Sequence, residues 1–339
     1  MLEYINLPGE AQPPVRAVVF DFDGTISTLR HGWEAVMREL MLACIAPDGA
    51  PDSALEAEVD AYIDESTGIQ TIYQMQWLAE RVHRDGANPD APTDPWWYKQ
   101  AYNDRLMAAI RDRIEAARRA PEDYLMAGSV AFLKALRQRG VKLYAASGTD
   151  HADVLNEMSA LGVRELFDQV AGAPEHVADC SKEKVIAQLM ERERLSGREV
   201  CVIGDGKVEI RLGREAGMRT VGLAGDEDAR RGVDRAKRRR LAAAGADVIA
   251  PDFTDAEGLL AFLGLAGACP PRRRMALPFD AVETFSARRR HNLVTIDSLL
   301  TPGVSPVPGW SAEGFDAFTA RVERPGPGAG RSSSPWAPM

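Results

Sequence analysis

The sequence predicts an α/β protein: a doubly wound parallel sheet with an all-helical domain inserted after the first strand. Three observations lead there. Short apolar runs rich in β-branched residues recur between Val15 and Ile249, helical patterns separate them, and one long stretch, Trp33 to Arg119, carries helical patterns alone.

The first run, Val15 to Phe20 (VRAVVF), reads as a strand buried on both faces, and it stops at the acidic sequence DFDGT. Runs of the same kind follow at Lys142–Ala146, Glu199–Ile203 and Thr220–Leu223, with a shorter one at Asp247–Ile249. Between them, Val130 to Arg139 sets Phe132, Leu133 and Leu136 on one helical face, and Gly140 provides a C-terminal stop. Lys184 to Glu193 spaces Val185, Ile186, Leu189 and Met190 helically, and Ile210 to Ala216 does the same before Gly217. This alternation runs from residue 15 to 264, and sheets wound this way bind ligands beyond the carboxyl ends of their strands.

The inserted stretch has apolar stripes at Trp33, Val36, Met37, Leu40; at Leu55, Val59, Tyr62, Ile63; at Ile72, Met75, Leu78, Val82; and at Tyr98, Tyr102, Leu106, Ile110. Trp96 and Trp97 read as part of the core of this helical domain. The division that results is residues 1–29 with 126–265 as the α/β core, 30–125 as the helical domain, and 266–339 as an extension. Proline, glycine and serine dominate the end of that extension, so it is expected to be poorly ordered; Phe315, Phe318 and Val322 could form a short docking helix.

At 339 residues the chain has room for one or two domains with a substantial core, and 45% hydrophobic with 27% charged residues is ordinary for a soluble globular protein. A net charge of -9 disfavours nucleic acid and anionic membrane as partners. The basic run Arg235 to Arg240 accordingly reads as a solvated helix face. Cys44, Cys180, Cys201 and Cys269 include no CxxC pair, which suggests neither a zinc site nor a disulfide framework and fits a reducing cytosol. The sequence shows no basic start followed by an apolar stretch and no run of membrane-spanning length, so a soluble cytoplasmic protein is expected.

Chemistry concentrates at the strand ends. Asp21 and Asp23 stand two apart, so an extended backbone would send both carboxylates to one side, and Gly24 lets the chain turn. Paired carboxylates without a nearby histidine call for a hard cation, and magnesium is the natural one. In AASGTD, the Ser147 hydroxyl and the N–H groups of Gly148 and Thr149 can hold phosphate oxygens. Lys182 opens the helix SKEKVI, and Asp205 in VIGDG ends another strand. The segment GDGK at 204–207 lacks the glycine spacing and the hydroxyl residue of a nucleotide-binding P-loop.

Taken in order, DFDGT, SGT, SKEKVI and VIGDGKVE resemble the four motifs of the haloacid dehalogenase superfamily, over residues 15 to about 253. The resemblance implies that Asp21 attacks phosphorus to form an aspartyl phosphate and that Asp23 serves as general acid, then base. It implies further that Ser147 and Lys182 orient the phosphoryl group, with Gly24, Thr25, Gly148 and Thr149 beside it. Asp21, Asp23 through its carbonyl, and Asp205 would hold Mg2+. Glu209 stands where many members have aspartate and would reach the metal or its bound water. Lys184 competes with Lys182 for the catalytic role; the offsets of Val185, Ile186 and Leu189 favour Lys182.

The helical insertion corresponds to the superfamily's cap domain, with the polar turn Thr67, Gly68, Gln70, Thr71 as its specificity loop and Arg30 at the hinge as a grip for a second anionic group. An acid at position 23 favours phosphate esters over other bonds cleaved in this superfamily. The expected activity is therefore a Mg2+-dependent phosphatase acting on a small phosphorylated metabolite, a sugar phosphate among the candidates. A phosphomutase using the same residues is the alternative, and a non-catalytic scaffold of this fold the alternative from another class. Neither nucleic acid nor membrane is an expected partner.

Overall fold

A computed structural model describes residues 1–6, 12–47, 49–84, 88, 90–174 and 182–266, all within one compact unit, Met1–Pro271. Among the described residues, seven strands form one sheet: β1 (Glu3–Tyr4), β2 (Ala17–Phe20), β3 (Lys142–Asp150), β4 (Gln169–Ala173), β5 (Val200–Gly204), β6 (Arg219–Leu223) and β7 (Val248–Ala250). Their order is β1-β7-β6-β5-β2-β3-β4, parallel throughout except for the antiparallel edge strand β1.

The central strand β2 lies between β3 and β5, with Phe20 opposite Ala145 on one side and Ile203 on the other. All four of its residues are buried, because helices cover both faces of the sheet. Alternation along the strand then divides them. Val18 and Phe20 join the core that contains Phe132, Leu133 and Phe253, whereas Ala17 and Val19 join the one built from Tyr144, Ile186, Leu189 and Val202. Phe20 meets Phe132 and Phe167 edge-on at centroid distances of 6.4 and 5.9 Å.

After β2 the chain forms the four helices of the insertion: α1 (Trp33–Ile45), α2 (Ser53–Ser66), α3 (Thr71–Arg84) and α4 (Pro95–Ala117). Their starts and stops are written locally. Asp52 caps α2 by accepting from the Leu55 N–H, and Asp94 caps α4 ahead of Pro95. The expected stripes are buried, including Met37, Leu40, Val59, Ile63, Met75, Leu78, Val82, Tyr98, Tyr102, Leu106 and Ile110. Trp97 departs from expectation: it is 50% exposed, because its neighbour Tyr98 points inward instead.

The remaining helices are α5 (Ser129–Gln138), α6 (His151–Ala160), α7 (Lys182–Glu193), α8 (Lys207–Glu215), α9 (Arg235–Ala243) and α10 (Ala256–Phe262). The helix that ends at Gln138 is followed by Gly140 at φ +74°, the left-handed conformation that glycine adopts freely. Both edge strands, β1 and β4, escaped the sequence pattern; QVAGA and EY contain no long β-branched run. No helix among the described residues is long and apolar enough to cross a membrane. The expected docking residues Phe315, Phe318 and Val322, and all of 267–339, lie outside the described residues.

Candidate active site

The site forms where β2, β3 and β5 end and α7 and α8 begin. Past Phe20 the chain leaves the strand and wraps around one carbonyl: the N–H groups of Thr25, Ile26 and Ser27 all donate to Phe22 O, while fully buried Phe22 anchors the loop in the core. Gly24 makes this turn at φ +72°, and a β-carbon there would overlap the Asp205 carboxylate. Glycine is thus required twice over, by conformation and by space.

Because the strand ends at Phe20, the alternation expected to send Asp21 and Asp23 to one side does not extend through them, and their carboxylates meet different partners. Asp21 Oδ1 accepts from Lys182 Nζ at 2.6 Å, and the same ammonium donates to Glu209 Oε2 at 3.1 Å. Lys184 is exposed on the far side of that first turn, which separates the two lysines. Glu209 is 2% exposed and is fixed at the start of α8, where it also accepts from the Gly206 N–H at 2.7 Å. Ligand oxygens of Asp21, Asp205 and Glu209 all lie within 4.8 Å of one another.

Burial pushes the Asp21 carboxyl well above the usual carboxylate range; Lys182 opposes this, while Glu209 and Asp205 reinforce it. Crowded carboxylates with only oxygen donors make a set that a hard divalent cation neutralises, so the residues fit such an ion. The Asp23 carboxylate stands apart from that cluster. Its Oδ2 accepts from Thr149 Oγ1 at 2.8 Å and from Ser147 Oγ at 3.2 Å, and the Thr149 N–H donates to Ser147 Oγ at 3.1 Å. Ser147, Gly148 and Thr149 belong to β3 itself, which runs four residues past its predicted end, with an irregular register against β4 between Ala146 and Asp150.

Thr25 Oγ1 donates to Asp205 Oδ1 over a long 3.4 Å. The turn joining α2 to α3 comes down onto this set: a β-carbon on Gly148 would fall 3.1 Å from Ile69 O, and one on Gly68 would fall 3.5 Å from Glu209 Oε2. Thr67 is half-buried and Gln70 is buried in the same turn. Arg30, expected to grip substrate, is buried and already engaged. It donates to Glu157 from Nη2 at 2.6 Å and from Nε at 3.0 Å, and its Nε lies 3.7 Å from Asp23 Oδ1. That Asp23 oxygen accepts no hydrogen bond among the described residues.

Three features escaped the sequence reading. Glu157, on α6, is fully buried, and burial pushes its carboxyl up to about 7 against the pull of Arg30. Lys99 and Asn103 of α4 both donate to Asp150, tying the helical insertion to the end of β3. Lys237, hidden in the basic run read as a solvated face, is 7% exposed and donates to Asp205 Oδ2 at 2.7 Å. A signal for it existed: Leu241 is the apolar anchor of α9, and Lys237 sits one turn earlier on the same face.

Comparison with known proteins identifies the family. The model of the haloacid dehalogenase-like hydrolases matches residues 15–217. A phosphoglycolate phosphatase of Synechococcus elongatus is 26% identical over 211 residues, 62% of this chain and 84% of that protein. One of Pectobacterium atrosepticum is 20% identical over 215 residues, 62% of this chain and 80% of its own. Among solved structures, a beta-phosphoglucomutase from Clostridium difficile shares the fold with a TM-score of 0.52 at 14% identity, covering 74% of this chain and 97% of that one. The chain belongs to the haloacid dehalogenase-like hydrolase family, as an enzyme of the phosphatase type.

Proposed function

We propose that this protein hydrolyses a phosphate monoester of a small metabolite, with Mg2+, through an aspartyl phosphate on Asp21. The observation that carries the reading is the division of labour between two neighbouring acids. Asp21 shares its surroundings with Lys182, Asp205 and Glu209, whereas Asp23 rests on the hydroxyls of Ser147 and Thr149.

In this reading Asp21 Oδ attacks phosphorus while Asp23 gives its proton to the departing ester oxygen. Asp23 then takes a proton from the water that attacks the phosphorus of the aspartyl phosphate, returning both acids to their starting states. Lys182 stabilises negative charge on the transferring group, joined by the hydroxyl of Ser147, with Gly24, Thr25, Gly148 and Thr149 lining the site. Asp21, Asp205, Glu209 and the Asp23 carbonyl would hold the cation; when bound it supplies further charge neutralisation at the phosphoryl oxygens. Magnesium is the ion favoured by an all-oxygen donor set.

The division into a core of residues 1–29 and 126–265 and a cap of 30–125 belongs to the same reading, with Thr67 and Gln70 facing the substrate from the cap. Arg30 serves here by holding Glu157 and facing Asp23. The names of the curated relatives support a small phosphorylated acid at least as well as a sugar phosphate. A cytoplasmic setting suits the free thiols of Cys44 and Cys201.

The test is a screen of phosphorylated acids, sugars and nucleotides with Mg2+. Phosphate release that Asp21→Asn abolishes is expected; full activity in that variant would refute the reading. Phosphate returned to substrate under a bisphosphate activator, without net release, would instead identify a phosphomutase.

A further inference from the structure

We propose that Lys237 is a positioning residue for the metal site: it grips Asp205 by Oδ2 so that Oδ1 is presented to a divalent cation. The inference rests on the reading of Asp205 as a metal ligand given above. Lys237 reaches the site from α9, and its ammonium is clamped between Asp205, at 2.7 Å from Oδ2, and Glu227. Glu227 is itself held from the other side by the hinge, where His31 Nδ1 lies 3.5 Å from its Oε2.

Burying an ammonium is costly unless paired carboxylates offset it, so a lysine in this position needs a compensating arrangement. Attachment of α9 does not require it. Leu241 is fully buried, and Asp234 caps the helix by accepting from the N–H groups of Ala236 and Lys237. The charge count is also informative. Asp205, Lys237 and Glu227 together carry one net negative charge, so the clamp fixes Asp205 without cancelling its attraction for a cation. Among the described residues, the other Asp205 oxygen meets only the long hydrogen bond from Thr25, which leaves it available. Groups that orient a metal ligand in this way typically change affinity ten- to a hundredfold when removed.

Mn2+ serves as the probe: its free fraction is read by electron paramagnetic resonance on the full chain, with circular dichroism confirming that each variant is folded. Lys237→Met is expected to weaken Mn2+ binding by about ten- to a hundredfold, and Lys237→Gln, which keeps a hydrogen-bond donor, by less. If Lys237→Met does not fold, Lys237→Gln decides; failure of both to fold would mark the lysine as structural and overturn the proposal. Unchanged or tighter binding in the folded variants would overturn it as well, while the metal site itself stood. If wild type binds no Mn2+, or Asp205→Asn binds it as tightly, the reading of the site fails instead.

Discussion

The Lys182 ammonium lies 2.6 Å from Asp21 Oδ1, an ion pair buried at the mouth of the sheet. Burial alone would pull the lysine's pKa down, but Asp21 and Glu209 more than reverse this, so the charge is retained. Lys182→Ala should lower kcat/KM by about a hundredfold or more, as loss of a charge-stabilising group does. Lys184→Ala, at an exposed position, should stay near wild type. Steady-state kinetics on any accepted phosphomonoester separates the two.

Asp23→Asn should act through the leaving group. If Asp23 protonates the departing oxygen, the variant loses about a hundred- to ten-thousandfold in kcat with an alkyl phosphate. With p-nitrophenyl phosphate, whose leaving group needs little protonation, the first step should lose far less. Comparing pre-steady-state bursts on the two substrates shows whether the effect tracks leaving-group basicity.

Arg30 and Glu157 bear on stability. The pair is bidentate and buried, with Glu157 fully inaccessible. Arg30→Met leaves that carboxyl without its partner and should destabilise the fold by about 3–5 kcal/mol at pH 8. The double change Arg30→Met, Glu157→Leu should recover part of the loss. Urea unfolding of the single and double variants measures both.

Glu157 also predicts a pH dependence. Its carboxyl is raised to about 7 in the fold, so the protonated form is favoured there relative to the unfolded chain. The stabilising contribution is complete below the unfolded value of about 4.3 and is lost as pH rises toward 7. Glu157→Gln removes that titration while keeping the side chain's shape. Between pH 5 and 8 the melting temperature of wild type should therefore fall relative to that of Glu157→Gln.

Much of this architecture was legible because local chemistry and position agreed. The run VRAVVF had to be buried on both sides, and the acids after it had to stand at the open end of a sheet. Asp205 and Glu209 follow from the same logic, one at the end of β5 and one in the first turn of α8. What stayed hidden depends on contacts between distant segments. The Arg30–Glu157 pair spans 127 positions, and Lys237 reaches Asp205 across 32, so neither partner carries a local mark of the other. Edge strand β4 was missed for a different reason: QVAGA offers small side chains in place of a β-branched run, and its place is set by pairing with β3.

The covalent role of Asp21 is open to direct chemical capture. Protein turning over its substrate with Mg2+ is quenched with borohydride, which reduces an acyl phosphate to the alcohol, and the digest is read by mass spectrometry. Homoserine at position 21, appearing only when substrate and metal are both present, is the predicted result. Phosphate release with residue 21 still aspartate, or reduction at another carboxylate, would contradict the account.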